Sequence, residues 1–152
     1  MTGRFFVDAN ILIYAHDLAE PVKQGAAAAL LDRLAARDAG LLSTQVLAEF
    51  FSVVTRKLPR SLTLEEAGGV VGRYIQSWCV AEVTPLVVLE AVGGAIEHRL
   101  SYWDAQIWAT AKLNQAPVVL SEDFQDGRVI EGIEFRDPFA PTFDLEVFAP
   151  SL

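Results

Sequence analysis

Apolar runs of three to five residues, each followed by a helical stretch with its own start signal, limit most what this chain can fold into. Residues 4–7 read Arg-Phe-Phe-Val and end at Asp8, a short buried strand. Residues 10–15 are apolar at nearly every position and begin a short helix. Pro21, tolerated in a first turn, opens a longer helix to about Arg37, which Gly40 stops. A second strand follows at 41–43. Thr44 is the expected cap of a third helix, with Val46, Leu47, Phe50, Phe51 and Val54 as its apolar face and Pro59 as its end. Thr63 and Glu66 make a capping-box pair. The helix they open holds Gly68, Gly69 and Gly72, each weakening it by about 1 kcal/mol relative to Ala. Close helix packing is the expected reason for them.

Further strands are expected at 79–83, 117–120 and 133–135, with helices from Pro85 to His98 and after a Ser101 cap. Residues 122–126 read as a turn or short helix, and the three prolines from Pro138 onward as an extended tail. Strand and helix alternate throughout, the pattern of an α/β sandwich around a mostly parallel sheet. Strands without polar alternation fit a sheet covered on both faces.

At 152 residues the chain suits one domain. No apolar run approaches the roughly 20 residues that span a bilayer. The N-terminal stretch, interrupted by Asp8 and Asn10, lacks the layout of a secretory signal. A lone cysteine, Cys79, is expected to be a small buried hydrophobe, and two histidines are too few for a histidine-rich zinc site. A reducing, cytoplasmic setting is the expectation. The formal charge of −8 speaks against broad polyanion binding, yet allows carboxylates gathered in one place around a divalent cation.

Ligands of an open parallel sheet bind beyond the carboxyl ends of its strands. Asp8 and Asn10 follow the first strand there; Ser121, Glu122, Asp123 and Asp126 follow the strand at 117–120. Glu49 lies just over a turn into the third helix, and Asp104 in the first turn after Ser101. Each aspartate alone has a structural explanation: Asp8 as a helix cap, Asp104 at a capping-box position, Asp123 at a helix start, Asp126 in a turn before Gly127. Glu49 is harder to dismiss. It interrupts Val46-Leu47-Ala48-Glu49-Phe50-Phe51, and a carboxylate in such a run must reach water, a cation or a metal. Crowded carboxylates repel, and a divalent metal removes that penalty; hard oxygen ligands point to Mg²⁺ or Mn²⁺.

Four stretches resemble, in order and spacing, the motifs of PIN-domain nucleases. They are Phe6-Val7-Asp8-Ala9-Asn10-Ile11-Leu12, Ser43-Thr44-Gln45-Val46-Leu47-Ala48-Glu49-Phe50, Ser101-Tyr102-Trp103-Asp104-Ala105-Gln106 and Leu120-Ser121-Glu122-Asp123-Phe124. The resemblance covers about 4–137, and the length matches the VapC-type toxins of toxin–antitoxin pairs. It implies a three-layer α/β/α sandwich with a five-stranded, mostly parallel sheet, formed by a PIN domain at 1–137 with 138–152 as a tail of the same single domain. It implies that Asp8, Glu49, Asp104 and Asp123 hold Mg²⁺ or Mn²⁺, that Asn10 and Ser121 orient ligands or substrate, and that Asp126 adds a further acidic group. Ala9 stands where the family often has Thr or Ser, so one hydroxyl near Asp8 is missing. The implied activity is metal-assisted hydrolysis of RNA, with 5′-phosphate and 3′-hydroxyl products, by a homodimer paired with a cognate antitoxin protein.

Arg56, Lys57, Arg60, Arg99 and Lys112 are candidate phosphate contacts, with solvated surface charge as their ordinary role. Trp103 can stack on a base, although core is the expectation for it as for Trp78 and Trp108. A haloacid-dehalogenase phosphatase needs an aspartate where Asn10 stands, and a receiver domain needs a phospho-accepting aspartate and a late lysine at strand ends that lack them. The remaining alternative is a PIN-like module without turnover that binds RNA or protein.

Overall fold

The structure is a computed structural model describing residues 4–152. Residues 1–3, part of the stretch read as lacking a leader, lie outside the described residues. Phe5–Val7 (β1), Gly40–Ser43 (β2) and Cys79–Ala81 (β3) alternate with helices Ala9–Ala15 (α1), Pro21–Ala36 (α2), Thr44–Val54 (α3) and Leu64–Ser77 (α4). Helices Pro85–His98 (α5) and Tyr102–Leu113 (α6) precede Val118–Leu120 (β4), Val129–Ile130 (β5), Ile133–Arg136 (β6) and Leu145–Phe148 (α7).

The sheet order is β3-β2-β1-β4-β6-β5, parallel except for β5 against β6. It has six strands, where five were expected. The extra one, β5, is a two-residue strand whose hairpin turns through Glu131 and Gly132, at φ 48° and 83°. Two consecutive positive φ angles are the mark of the tight turn that suits strand twist. The core runs along both faces of the sheet: Phe6, Leu41, Leu42, Val119, Leu120 and Phe135 from the strands meet Leu12, Leu30, Leu34, Phe50 and Trp108 from the helices.

Local signals are mostly as expected. Thr63, Thr84 and Ser101 each accept a hydrogen bond from the backbone N–H three residues on, at 3.1, 3.2 and 3.2 Å. The cap of α3 is Ser43 rather than Thr44: Ser43 Oγ accepts from the Val46 N–H at 3.2 Å. Thr44 instead accepts from the Val83 N–H at 3.2 Å. Helix α3 stops at Val54, and Pro59 lies in the turn beyond.

Cys79 is exposed, because β3 is the edge of the sheet, and Trp78 is half-buried beside Gly40. A Cβ at Gly68 or Gly72 would meet nothing within 4 Å, so close packing does not explain these glycines. Close approach does explain Gly94: a Cβ there would lie 2.5 Å from the Trp108 ring. No helix among the described residues is long and apolar enough to cross a membrane.

Candidate active site

Strand β1 stands at the point where the sheet order reverses, with β2 on one side and β4 on the other. Val7 pairs with Leu120, so the residues that leave the two strands, Asp8 and Ser121, emerge side by side. That is the crevice in which open α/β sheets hold ligands. Asp8 caps α1, accepting from the Ala9 N–H at 2.7 Å, and its other oxygen accepts from the Ser121 hydroxyl at 2.8 Å. Asn10 reaches across from α1. Its amide donates to Ser121 Oγ at 3.0 Å and to Asp123 Oδ2 at 3.1 Å, and lies 3.5 Å from Asp8 Oδ2. The Asp123 N–H donates back to Ser121 Oγ at 3.1 Å. Asn10 and Ser121 thus fix the directions of two carboxylates. Beside Ala9, which offers Asp8 no hydroxyl, Ser121 supplies one from the end of the neighbouring strand.

Glu49 comes from the second turn of α3 and Asp104 from the first turn of α6. Asp8 is 6 % exposed, and burial, against the opposing bonds from Ser121 and Ala9 and helped by Glu49 and Asp123, lifts its pKa to about 7. The Glu49 pKa is raised by partial burial of its carboxyl and then by the charges of Asp123 and Asp104. That of Asp104 is raised by burial and by Asp123, with the Ser101 bond opposing. The charge of Asp123 thus acts on Asp8, Glu49 and Asp104 alike. No ion pair among the described residues involves any of them. An all-oxygen donor set, negatively charged and without a cation of its own, fits a hard divalent ion such as Mg²⁺ or Mn²⁺.

Other expected residues lie elsewhere or are otherwise engaged. Asp126 accepts from Arg136 Nε at 3.3 Å and from the Asp137 N–H at 2.9 Å, so it closes the loop before β5. Glu122 is drawn away from its neighbours by Tyr14 at 2.6 Å and Lys23 at 2.9 Å. Lys112 is engaged by Glu90 and Glu131. Arg56 donates to Ser52. Lys57 is the one candidate cation that acts on an acidic group of the site, lowering the Glu49 pKa.

Trp103 is not core. It is 66 % exposed, next to Asp104, with the Tyr102 ring edge-on at 5.2 Å. Trp108 is core as expected. Among the described residues, Glu97, His98 and Glu131 have ligand atoms within 4.8 Å of one another. Glu131 there already receives His98 at 2.7 Å and Lys112 at 2.9 Å, and none of the four site carboxylates takes part.

Two residues near the site went unread in the sequence, Gln45 and Gln106. Gln106 Nε2 donates to Gln45 Oε1 at 2.9 Å, and Gln106 Oε1 accepts from the Tyr102 hydroxyl at 2.8 Å. A signal existed: Gln106 interrupts the apolar run Ala105-Gln106-Ile107-Trp108-Ala109 as Glu49 interrupts its own.

Solved structures share this fold at low identity. VapC20 of Mycobacterium tuberculosis, a sarcin–ricin loop cleaving toxin, is 20% identical, with a TM-score of 0.57 over 76% of this chain and 86% of that one. VapBC2 from Rickettsia felis, bound to a fragment of promoter DNA, is 16% identical, with a TM-score of 0.63 over 88% and 97%. DNA-bound VapBC from Salmonella typhimurium is 17% identical, with a TM-score of 0.63 over 90% and 99%. No curated protein matches the sequence significantly. The family model of the PIN domain matches residues 5–129, a span that contains Asp8, Glu49, Asp104 and Asp123, and the chain belongs to the PIN domain family.

Proposed function

We propose that this protein is a divalent-metal-dependent ribonuclease and the toxin of a type II toxin–antitoxin pair. The observation that carries the reading is that Asp8, at the switch point of the sheet, and Glu49 and Asp104 all have raised pKa values with the charge of Asp123 among the causes, while no ion pair among the described residues engages any of the four. These four would hold Mg²⁺ or Mn²⁺. Bound there, the metal supplies a water of lowered pKa and neutralises charge on the phosphoryl oxygens and leaving group. Asn10 and Ser121 keep the carboxylates of Asp8 and Asp123 aimed into the crevice. Lys57 draws the RNA backbone toward Glu49, and the exposed ring of Trp103 stacks on an unpaired base beside the scissile bond. The products carry a 5′-phosphate and a 3′-hydroxyl.

The similar structures support the toxin reading, since one is a sarcin–ricin loop cleaving toxin and two are VapBC complexes. On this reading the protein works in the cytoplasm, and its acidic crevice receives an antitoxin segment that presents an arginine. A homodimer would cover Leu86, Leu89 and Ile96, which α5 exposes.

The test is cleavage of a mixed RNA pool, with structured tRNA and rRNA included, by the purified protein in Mg²⁺ or Mn²⁺, in EDTA, and beside Asp104→Asn. Cutting that needs metal and falls at least 100-fold in the variant is expected. Cutting that persists in EDTA and in the variant would overturn the acidic-site mechanism. Metal binding without cutting of any RNA in the pool would favour a binding module.

A further inference from the structure

Glu49 feels the charge of Asp104, yet the helices that carry them barely touch. Helix α6 packs along α5 and onto β4 and β6, and α3 packs on α1, α4 and β2; α3 and α6 share no comparable interface. Two side-chain hydrogen bonds join them among the described residues. Gln106 Nε2 donates to Gln45 Oε1 at 2.9 Å, and Gln45 Nε2 donates to the Trp103 carbonyl at 3.4 Å. Gln45 lies one helical turn before Glu49, on the same face. Trp103 immediately precedes Asp104.

Gln106 is 5 % exposed; its Oε1 accepts from the Tyr102 hydroxyl at 2.8 Å, and its Nε2 faces Gln45 Oε1 because Gln45 turns its own Nε2 to the Trp103 carbonyl, which can only accept. A buried amide between apolar neighbours costs desolvation that an alkyl side chain of similar size would not. It bonds to Gln45, one turn before Glu49, and to Tyr102, in the turn that holds Asp104, while the charges of Glu49 and Asp104 repel each other.

We propose that Gln45 and Gln106 are positioning residues: a cross-brace that sets the separation of Glu49 and Asp104, and through it the affinity of the site for its metal. This rests on the metal-binding reading of the site. The Trp103 carbonyl, which can only accept, sets the direction of both amides. The brace touches neither metal nor RNA; it acts by holding the first turns of α3 and α6 together against the repulsion of Glu49 and Asp104.

The experiment measures Mn²⁺ binding to the metal-free full-length protein by electron paramagnetic resonance, beside thermal unfolding, for wild type, Gln106→Leu, Gln45→Leu and the double variant. Each single variant is expected to weaken Mn²⁺ binding about 10-fold, the scale of losing an outer hydrogen bond to a metal site. The double variant is expected to bind no more weakly than Gln45→Leu alone, which already removes both bonds between α3 and α6. A merely structural bond would lower the melting temperature and leave the dissociation constant of the folded protein unchanged.

Should buried Gln106→Leu fail to fold, half-buried Gln45→Leu removes the same bond from its other end, together with the bond to the Trp103 carbonyl. Folded variants that bind Mn²⁺ within twofold of wild type would overturn the brace and leave the metal reading standing. A wild type that binds no Mn²⁺ would remove the metal reading and the brace with it.

Discussion

Burial lifts the Asp8 carboxyl to about 7, from an ordinary value of 3.8. Glu49 and Asp104 are shifted in the same direction. A carboxyl whose pKa is raised in the folded state favours folding while protonated. That contribution is complete below about pH 4 and is lost as pH climbs through about 7. Without metal, the melting temperature is therefore expected to fall between pH 4 and pH 7 and to flatten above. Asp8→Asn should remove most of that slope and melt higher than wild type at pH 8, while losing Mn²⁺ binding. Saturating Mn²⁺ should offset the fall in wild type, because it binds the ionised form. Calorimetric scans across pH check this, and a wild-type profile flat from pH 4 to pH 8 would show that Asp8 ionises without cost.

Asp8, Asp104 and Asp123 stood out in the sequence because each follows a strand or opens a helix, and Glu49 because it interrupts an apolar run; their role as metal ligands is what we propose. Asn10 and Ser121 stood out because they too follow strands. Trp103 was misread as core because helical periodicity assigns apolar residues inward, and the surface it occupies is the rim of a crevice that no periodicity describes. Gln106 was passed over for the opposite reason: a polar residue in a helix reads as solvent-facing until its partner on a distant helix is known.

Among the elements, helices were legible wherever a side chain announced the start. Thr63 and Ser101 do so and accept the expected bond, while Thr84 caps the helix that was read only as starting at Pro85. Strand β5 escaped because two residues carry no periodicity, although Glu131-Gly132 between Ile130 and Ile133 is a hairpin signal in its own right.

The glycines separate into two kinds that the sequence alone cannot tell apart. Gly68 and Gly72 face open space in α4, so Ala at either should raise stability by about 0.5–1 kcal/mol through lost freedom of the unfolded chain. Gly94 faces the Trp108 ring, whose Nε1 is tied to the Ile130 carbonyl at 3.1 Å and which cannot retreat freely. Gly94→Ala should cost about 1–3 kcal/mol as an overpacked core. Urea denaturation of the three variants decides it: equal effects at all three positions would contradict the packing described.

At the scale of the whole molecule, the family match ends at residue 129, but the folded body does not. The stretch expected to be an extended tail contains α7 and returns to the start of the chain. Phe148 lies 5.0 Å from Phe5 of β1 and 5.0 Å from Phe143, and the Arg136 guanidinium sits 5.6 Å from its ring. Arg33 of α2 donates to the Ala149 carbonyl and to Glu146, both at 2.7 Å, and Arg37 donates to the Pro150 carbonyl at 2.7 Å.

Prolines in this segment mark a chain that cannot run on as helix or strand, which is compatible with a packed strap as much as with a free end. We expect residues 138–152 to unfold with the rest as one unit. Ending the chain at Asp137 uncovers Phe5 and leaves the Arg33 guanidinium without its two acceptors. Burying one large apolar side chain is worth about 1.5–3 kcal/mol, so a loss of several kcal/mol is expected from Phe143, Leu145 and Phe148 together. Guanidinium chloride denaturation followed by circular dichroism should show one transition in both proteins, at a lower midpoint in the shortened one. A midpoint unchanged by the truncation would make the tail an appendage, whereas two transitions in the full chain would divide the molecule in a way its shared aromatic cluster does not allow.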